Sequence, residues 1–326
     1  MSPRRLSVAR PDEGARRILP GVPAPRLGLG RAHSLMQVLE IVMARSGRGL
    51  DYDALMSLSG LAFRTPPWPE APDPDTREWL AAAERLDAAL EGQFAVAGAD
   101  GPVPGDEVLR LVAAEVDAGR PCAALGWGSV KDEWSVIAGY DLRRGVLAGH
   151  CLLAEPREAY ETWPPALQVL VTVDGGSAVA AGAALAVIDA AHRAWDEAGR
   201  GRYAAWLARI RELGEAPGAD HERAAQLLAD SRAAGAAFIG ALAAGDDSVR
   251  GRWLDRAGAK LHELVDALEA RGGAPGSAEA LALLADAPGR ADWTERLQRM
   301  AQLEEDVATA LRRSLTADFP PEEEDF

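Results

Sequence analysis

Apolar residues recur with helical spacing near the start of the chain, in the segment HSLMQVLEIVMARSG (33–47). They fall at i, i+3, i+4, i+7 and i+8, which is the period of one helix face: Leu35, Val38, Leu39, Val42 and Met43. Ser34 stands immediately before the first apolar position, so we predict that its hydroxyl caps the helix by accepting a backbone N–H. Gly47 then predicts the end of the helix.

Three further helices are predicted before residue 120. A short one begins near Asp51, another follows Asp75 with an apolar face, and a third occupies 102–119 and ends at Gly119. The proline-rich segment TPPWPEAPDPD (65–75) between them predicts a stiff surface loop, because the residue before each proline is held extended.

The pattern changes after residue 120. Short apolar runs separated by glycines and charged turns predict strands at 121–127, 133–140, 146–153 and 167–173. The helical period then returns and predicts helices near 183–198, 201–213, 220–243, 249–271, 277–285 and 291–316. We expect no strand within 178–316, and at least partial burial of Trp195, Leu261, Val265, Trp293 and Leu311.

Helices followed by antiparallel strands predict an α+β fold rather than a parallel one, and the wide apolar stripes that follow predict a helical bundle. We therefore divide the chain into a flexible arm (1–24), an α+β domain (25–177), an all-α bundle (178–316) and an acidic tail (317–326).

Composition excludes several classes of function. The chain has 326 residues and a formal net charge of −15, so it repels phosphate backbones and nucleic acid is not an expected partner. The basic start lacks the apolar stretch of a secretory signal, and no apolar run is long enough to span a membrane. We expect a cytoplasmic protein. Arginine supplies nearly all of the positive charge, which suggests a GC-rich bacterial genome.

No motif indicates a cofactor or a metal. The sequence contains no phosphate loop, GxGxxG or GxSxG. Asp189 and His192, like His262 and Asp266, have one-turn spacing but lack a clear set of further ligands. The two cysteines, Cys122 and Cys151, are too few for a disulfide framework. Each lies in a strand-like run and not at a helix start, so we predict that both are reduced, unpaired and not catalytic.

Three stretches carry a resemblance to a known family: SLMQVLEIVMARSG with Ser34 at the helix start, Gly119-Arg120-Pro121 leading into a strand, and EWSVIAGYD (133–141). They resemble papain-like cysteine peptidases of the double-glycine type. The resemblance is closer to the butirosin-biosynthesis protein H family, which includes acyltransferases of natural-product assembly. It implies a papain-like fold for the α+β domain and a cleft for a peptide, an amide or a carrier-linked acyl group.

Two departures from the family pattern change the expected chemistry. Ser34 stands where the family has its nucleophilic cysteine, and Glu133 stands where it has its histidine base. A carboxylate of ordinary pKa about 4.3 is a poor acceptor for a serine proton, and the matched thiolate–imidazolium pair is lost. The resemblance therefore favours a pseudoenzyme that binds such a substrate without turnover, with His33, Trp134 and Tyr140 as substrate contacts.

Two other functions stay open. An active acyltransferase or amidase would use Ser34 as nucleophile and His150 as base, with Glu133 completing a degenerate triad. An oligomeric scaffold or docking protein would use the bundle as its platform, with the front domain merely structural.

Each candidate residue also has a structural interpretation: Ser34 as a helix cap, Glu133 as a solvated edge carboxylate, and Trp134 and Tyr140 as core or rim aromatics. His150 and Cys151 are neighbours on a predicted strand, so they cannot both serve one site.

Overall fold

The computed structural model describes twelve stretches of the chain: 16–26, 31–47, 49–68, 72–91, 94–127, 133–151, 160–162, 167–173, 179–180, 182–212, 219–269 and 287–317. The chain forms two compact units. The first comprises the described residues up to Leu55 and those within Asp75–Ala180. The second comprises those within Met56–Pro74 and those after Ala181. The described residues of 56–74, which the sequence analysis assigned to the front domain, are therefore grouped with the C-terminal helices.

The first unit combines helices with one antiparallel sheet, which confirms the predicted α+β class. Its helices are α1 (Ser34–Arg45), the start of α2 (Tyr52–Leu58), α3 (Thr76–Ala89) and α4 (Gly105–Asp117). Its strands are β1 (Arg16–Ile18), β2 (Phe94–Ala97), β3 (Cys122–Leu125), β4 (Trp134–Asp141), β5 (Val146–His150), β6 (Tyr160–Thr162) and β7 (Val169–Val173). The strand order is β2-β7-β3-β4-β5-β6, with β1 also paired to β4.

Part of the segment that we interpreted as a flexible arm is a strand. Strand β1 pairs antiparallel with the last three residues of β4, where β3 no longer pairs with that strand. Leu19 and Val22, just beyond β1, are buried. A strand of three residues with exposed side chains shows no alternation of apolar and polar positions, so the pattern gave no signal for it.

An irregularity in β4 decides which side chains share a face of the sheet. Val136 pairs with His150 and Ile137 with Gly149, but Gly139 then pairs with Ala148, so one residue of β4 is left over as a bulge. An extra residue reverses the alternation of side chains beyond it. Trp134 therefore shares a face with His150, and Tyr140 lies on the opposite face.

Between 182 and 316 the described residues form helices joined by short turns and contain no strand, as predicted. Helix α5 (Ala183–Ala194) continues through a π-helical turn (Trp195–Gly199) into α6 (Arg200–Glu212). Helices α7 (Ala219–Ala244), α8 (Val249–Glu269) and α9 (Ala287–Thr316) follow. Trp195, Leu261, Trp293 and Leu311 are buried and Val265 is partly buried, which confirms the predicted core positions. The short helix predicted at 277–285 lies outside the described residues.

One stretch of α7, His221–Ala244, is long and apolar enough to cross a membrane by length and composition alone. Half of its most apolar window is buried within the protein, which is also the pattern of a core helix. The sequence analysis expected no membrane-spanning segment, and that expectation stays a prediction.

The guanidinium group of Arg232, on α7, attaches the segment 61–65 to the second unit. Its side chain is 1% exposed and its Nε donates to Glu304 Oε1 on α9 at 2.7 Å. Its other nitrogens donate to Ala62 O at 2.8 Å, Arg64 O at 3.2 Å and Thr65 Oγ1 at 3.2 Å. A buried charge is tolerated only when it is paired and hydrogen-bonded, and this one is both.

Further contacts extend this attachment along the segment. Arg202 on α6 donates to Thr65 O, and Arg223 on α7 pairs with Asp73 at 2.6 Å. The Trp68 ring packs against the rings of Trp206 and His221, with centroids 6.2 and 5.1 Å away. The segment thus joins the aromatic core of the second unit.

Replacing Arg232 with Met should destabilise the second unit by about 3–5 kcal/mol, because Glu304 would be left buried without its partner. The double variant Arg232→Met/Glu304→Leu should be less destabilised than Arg232→Met alone. Arg223→Gln, which breaks a pair with a half-exposed aspartate, should cost less than about 1 kcal/mol. Urea denaturation followed by circular dichroism measures all three, and equal losses for Arg232→Met and Arg223→Gln would contradict the assignment.

Candidate functional site

The start of α1 differs from the predicted cap. His33, with φ −94° and ψ 108°, is the N-cap residue, and its side chain makes no capping hydrogen bond. Ser34 is the first helical residue, and the first helical bond runs from Gln37 N to His33 O at 3.3 Å. The prediction that Ser34 caps the helix was wrong, because its hydroxyl oxygen is engaged elsewhere.

That oxygen accepts a hydrogen bond from the backbone N–H of Trp134, with the two atoms 3.4 Å apart. The bond joins the first residue of α1 to the first residue of β4. Ser34 is 3% exposed and Trp134 is 1% exposed, so the bond is buried. A buried backbone N–H requires an acceptor, and Ser34 supplies it.

Aromatic rings extend from this junction in edge-to-face contacts. The His33 and Trp79 rings are 6.1 Å apart with an interplanar angle of 86°, and the Trp79 and Trp134 rings are 6.2 Å apart at 83°. These separations and angles are those that aromatic pairs prefer. The backbone N–H of His33 also donates to the hydroxyl of Tyr52 at 3.1 Å, which fixes the residue before the helix.

The indole N–H of Trp134 is the unusual polar group at this junction. Its nitrogen is buried and has no hydrogen-bond partner among the described residues. An unsatisfied buried donor costs about 1–3 kcal/mol, so a group of this kind calls for an acceptor that the described residues do not provide.

The structure brings some of the predicted site residues together and separates others. His33, Ser34 and Trp134 meet at the junction, and partly buried Glu133 directly precedes Trp134 in the chain. Tyr140 lies apart from them, because the bulge turns it to the other face, where its hydroxyl donates to Asp117 Oδ1 on α4 at 2.7 Å.

His150, the base of the alternative hypothesis, ends β5 opposite Val136 and is partly buried. It shares a face of the sheet with Trp134. Within the described part of the chain, the hydroxyl of Ser34 makes a single hydrogen bond, the one from Trp134 N. The geometry therefore shows no base accepting the Ser34 proton among those residues.

Gln37 is a member of the site that the sequence analysis did not select. It is buried, its Nε2 donates to Arg31 O at 2.8 Å, and its Oε1 accepts from Arg26 N at 2.7 Å. These two hydrogen bonds attach Arg26 and Arg31, which precede α1 in the sequence, to the helix. The sequence offered one signal for Gln37, which is a polar residue with apolar neighbours on both sides in the first turn of the helix.

Cys122 and Cys151 are both buried, and no disulfide bond joins them. Burial, the largest cause, raises the pKa of the Cys122 thiol well above its ordinary value, and the nearby Glu115 charge raises it further. Among the described residues, no group of histidine, cysteine, aspartate and glutamate side chains could hold a metal ion.

No protein-family model matches the chain, and no curated protein matches it either. The family resemblance therefore rests on the motifs themselves.

Substitution of Ser34 by alanine should cost about 1–2 kcal/mol of stability, because the buried N–H of Trp134 loses its acceptor. Ser57→Ala is the matched control: the Ser57 hydroxyl is equally buried but has no hydrogen-bond partner among the described residues, so its loss should be neutral or stabilising. Urea unfolding measures both. An unchanged Ser34→Ala variant would show that the bond contributes nothing.

Cysteine labelling should be slow in the native protein and complete in denaturant. At neutral pH a raised thiol pKa leaves little of Cys122 as the reactive thiolate, and burial excludes the reagent. Iodoacetamide labelling read by intact mass tests this expectation. Rapid modification of Cys122 in the folded chain would contradict it.

Proposed function

We propose that the first unit is a non-catalytic domain with a papain-like fold. It binds the carbonyl group of a peptide, an amide or a carrier-linked acyl substrate beside the start of α1, and does not turn the substrate over. The observation that carries the non-catalytic assignment is the hydrogen bond from Trp134 N to Ser34 Oγ. A junction between a helix start and a strand start is also what the family resemblance implies.

The chemistry of Ser34 supports a structural role. A serine nucleophile must donate its proton to a base as it attacks. Here its oxygen accepts a backbone N–H, its side chain is buried, and the residue at the family's base position is Glu133. Serine and glutamate have poorly matched pKa values for this transfer.

The same place retains features that suit a carbonyl ligand. The indole N–H of Trp134 is a buried donor without an acceptor among the described residues. The N-terminus of a twelve-residue helix adds a partial positive charge. Peptides, amides and acyl thioesters share a carbonyl oxygen, which accepts from N–H donors. An oxygen bound there would satisfy the indole, which is why we assign binding rather than a purely structural role.

Binding can be tested with two probes, an N-acetylated tripeptide amide and an N-acetylcysteamine thioester, titrated by calorimetry. Trp134→Phe keeps an aromatic ring but removes the pyrrole half of the indole with its N–H, so it should weaken binding about tenfold, the equivalent of one hydrogen bond. Tyr140→Phe is the control, because its hydroxyl lies on the opposite face and bonds to Asp117. It should bind as the wild type does. Equal losses in the two variants, or no binding of either probe, would contradict the proposal.

The same probes should show no turnover with the wild-type chain. Release of product that Ser34→Ala abolishes would instead establish the acyltransferase or amidase, and His150→Gln would then test the base. We also propose a cytoplasmic location.

A further inference from the structure

Two guanidinium groups lie over one tryptophan ring on the surface of the second unit. The Arg256 Cζ is 5.5 Å from the centroid of the Trp253 ring, and the Arg313 Cζ is 4.7 Å from it. Arg256 follows Trp253 by one helical turn on α8, and Arg313 lies in the last turn of α9. Both distances are within the range of cation–π attraction.

Neither arginine has a carboxylate partner within the parts of the chain that the structure describes, and both are exposed. Two other cations on these helices are paired: Arg312 contacts Asp196 at 3.0 Å and Lys260 contacts Glu263 at 2.6 Å. The chain carries 50 acidic and 35 basic side chains, so acceptors are in excess. Two adjacent arginines that stack on an aromatic ring and pair with no carboxylate are therefore a specific local arrangement.

Cation–π attraction to the ring restricts the motion of each guanidinium group. The N–H edges remain available, and a guanidinium fork binds a carboxylate with two parallel hydrogen bonds. Because the arginines are already ordered, less conformational entropy is lost when an anion binds.

We propose that Trp253, Arg256 and Arg313 form a docking surface for a short aspartate- and glutamate-rich segment of a partner protein. The surface offers two neighbouring forks, which suit carboxylates spaced along a peptide. Duplex nucleic acid is disfavoured, because it carries one charge per about 1.7 Å and would extend over a protein of net charge −15. A six-residue peptide spans at most about 20 Å, so less of its charge lies against the acidic surface beyond the two arginines. This inference does not depend on the proposed function of the first unit.

The probe is a fluorescein-labelled hexaglutamate peptide, with hexaglutamine as its uncharged match, and binding to the full chain is followed by anisotropy. Wild type should bind only hexaglutamate. The double variant Arg256→Gln/Arg313→Gln should bind at least about tenfold more weakly, the usual scale for losing charged hydrogen bonds. The double lysine variant, which keeps the charge without the fork, should fall between them. Arg209→Gln, which removes an exposed arginine on α6, should bind as wild type does.

Four results would overturn the assignment. Equal binding of hexaglutamine would exclude carboxylate recognition, and equal binding by the double glutamine variant would place the site elsewhere. Binding that appears only in a chain ending at residue 317 would assign the surface to the chain's own acidic stretch, Glu322–Asp325. A labelled DNA duplex run in parallel should not bind, and duplex binding that requires both arginines would replace the peptide with nucleic acid.

Discussion

The guanidinium group of Arg232 is buried, and a buried charge must be surrounded by acceptors. Glu304, Thr65 and two backbone carbonyl groups of the segment 62–64 provide them. Because the acceptors other than Glu304 lie in a segment from early in the sequence, that segment packs within a unit that is otherwise built from C-terminal helices. The packing of Trp68 and the surrounding aromatic core depends on that segment being in place.

The same constraint shapes the candidate site on a smaller scale. The backbone N–H at the start of β4 needs an acceptor, and the hydroxyl of Ser34 supplies it. A side chain that would be a nucleophile in a related arrangement thereby joins a helix to a strand. The indole N–H of Trp134 is a buried donor without an acceptor among the described residues, and it gives the site a hydrogen-bond donor.

Local patterns predicted most of the elements and few of their contacts. The helical period predicted the positions of α1, α3 and α8 closely, because a helix with one buried face needs apolar residues at a regular spacing. Neither the strand β1 nor the bulge in β4 produces a periodic pattern of apolar residues, so neither was predicted. The bulge by itself places Tyr140 on the face of the sheet opposite Trp134. The partners of Arg232 lie up to 170 residues away, a pairing that no local pattern encodes. The residues of the Ser34 junction were identified from motifs, whereas the direction of its hydrogen bond required the structure.

We propose that the oxygen of Ser34 is a buried hydrogen-bond acceptor and not a nucleophile. Incubation of the native chain with a fluorophosphonate, followed by peptide mass mapping, tests this claim most directly because the reagent reports serine nucleophilicity without a known substrate. The account predicts that Ser34 remains unmodified while the protein is folded. A stoichiometric phosphonate adduct on Ser34, absent from the Ser34→Ala variant, would contradict it.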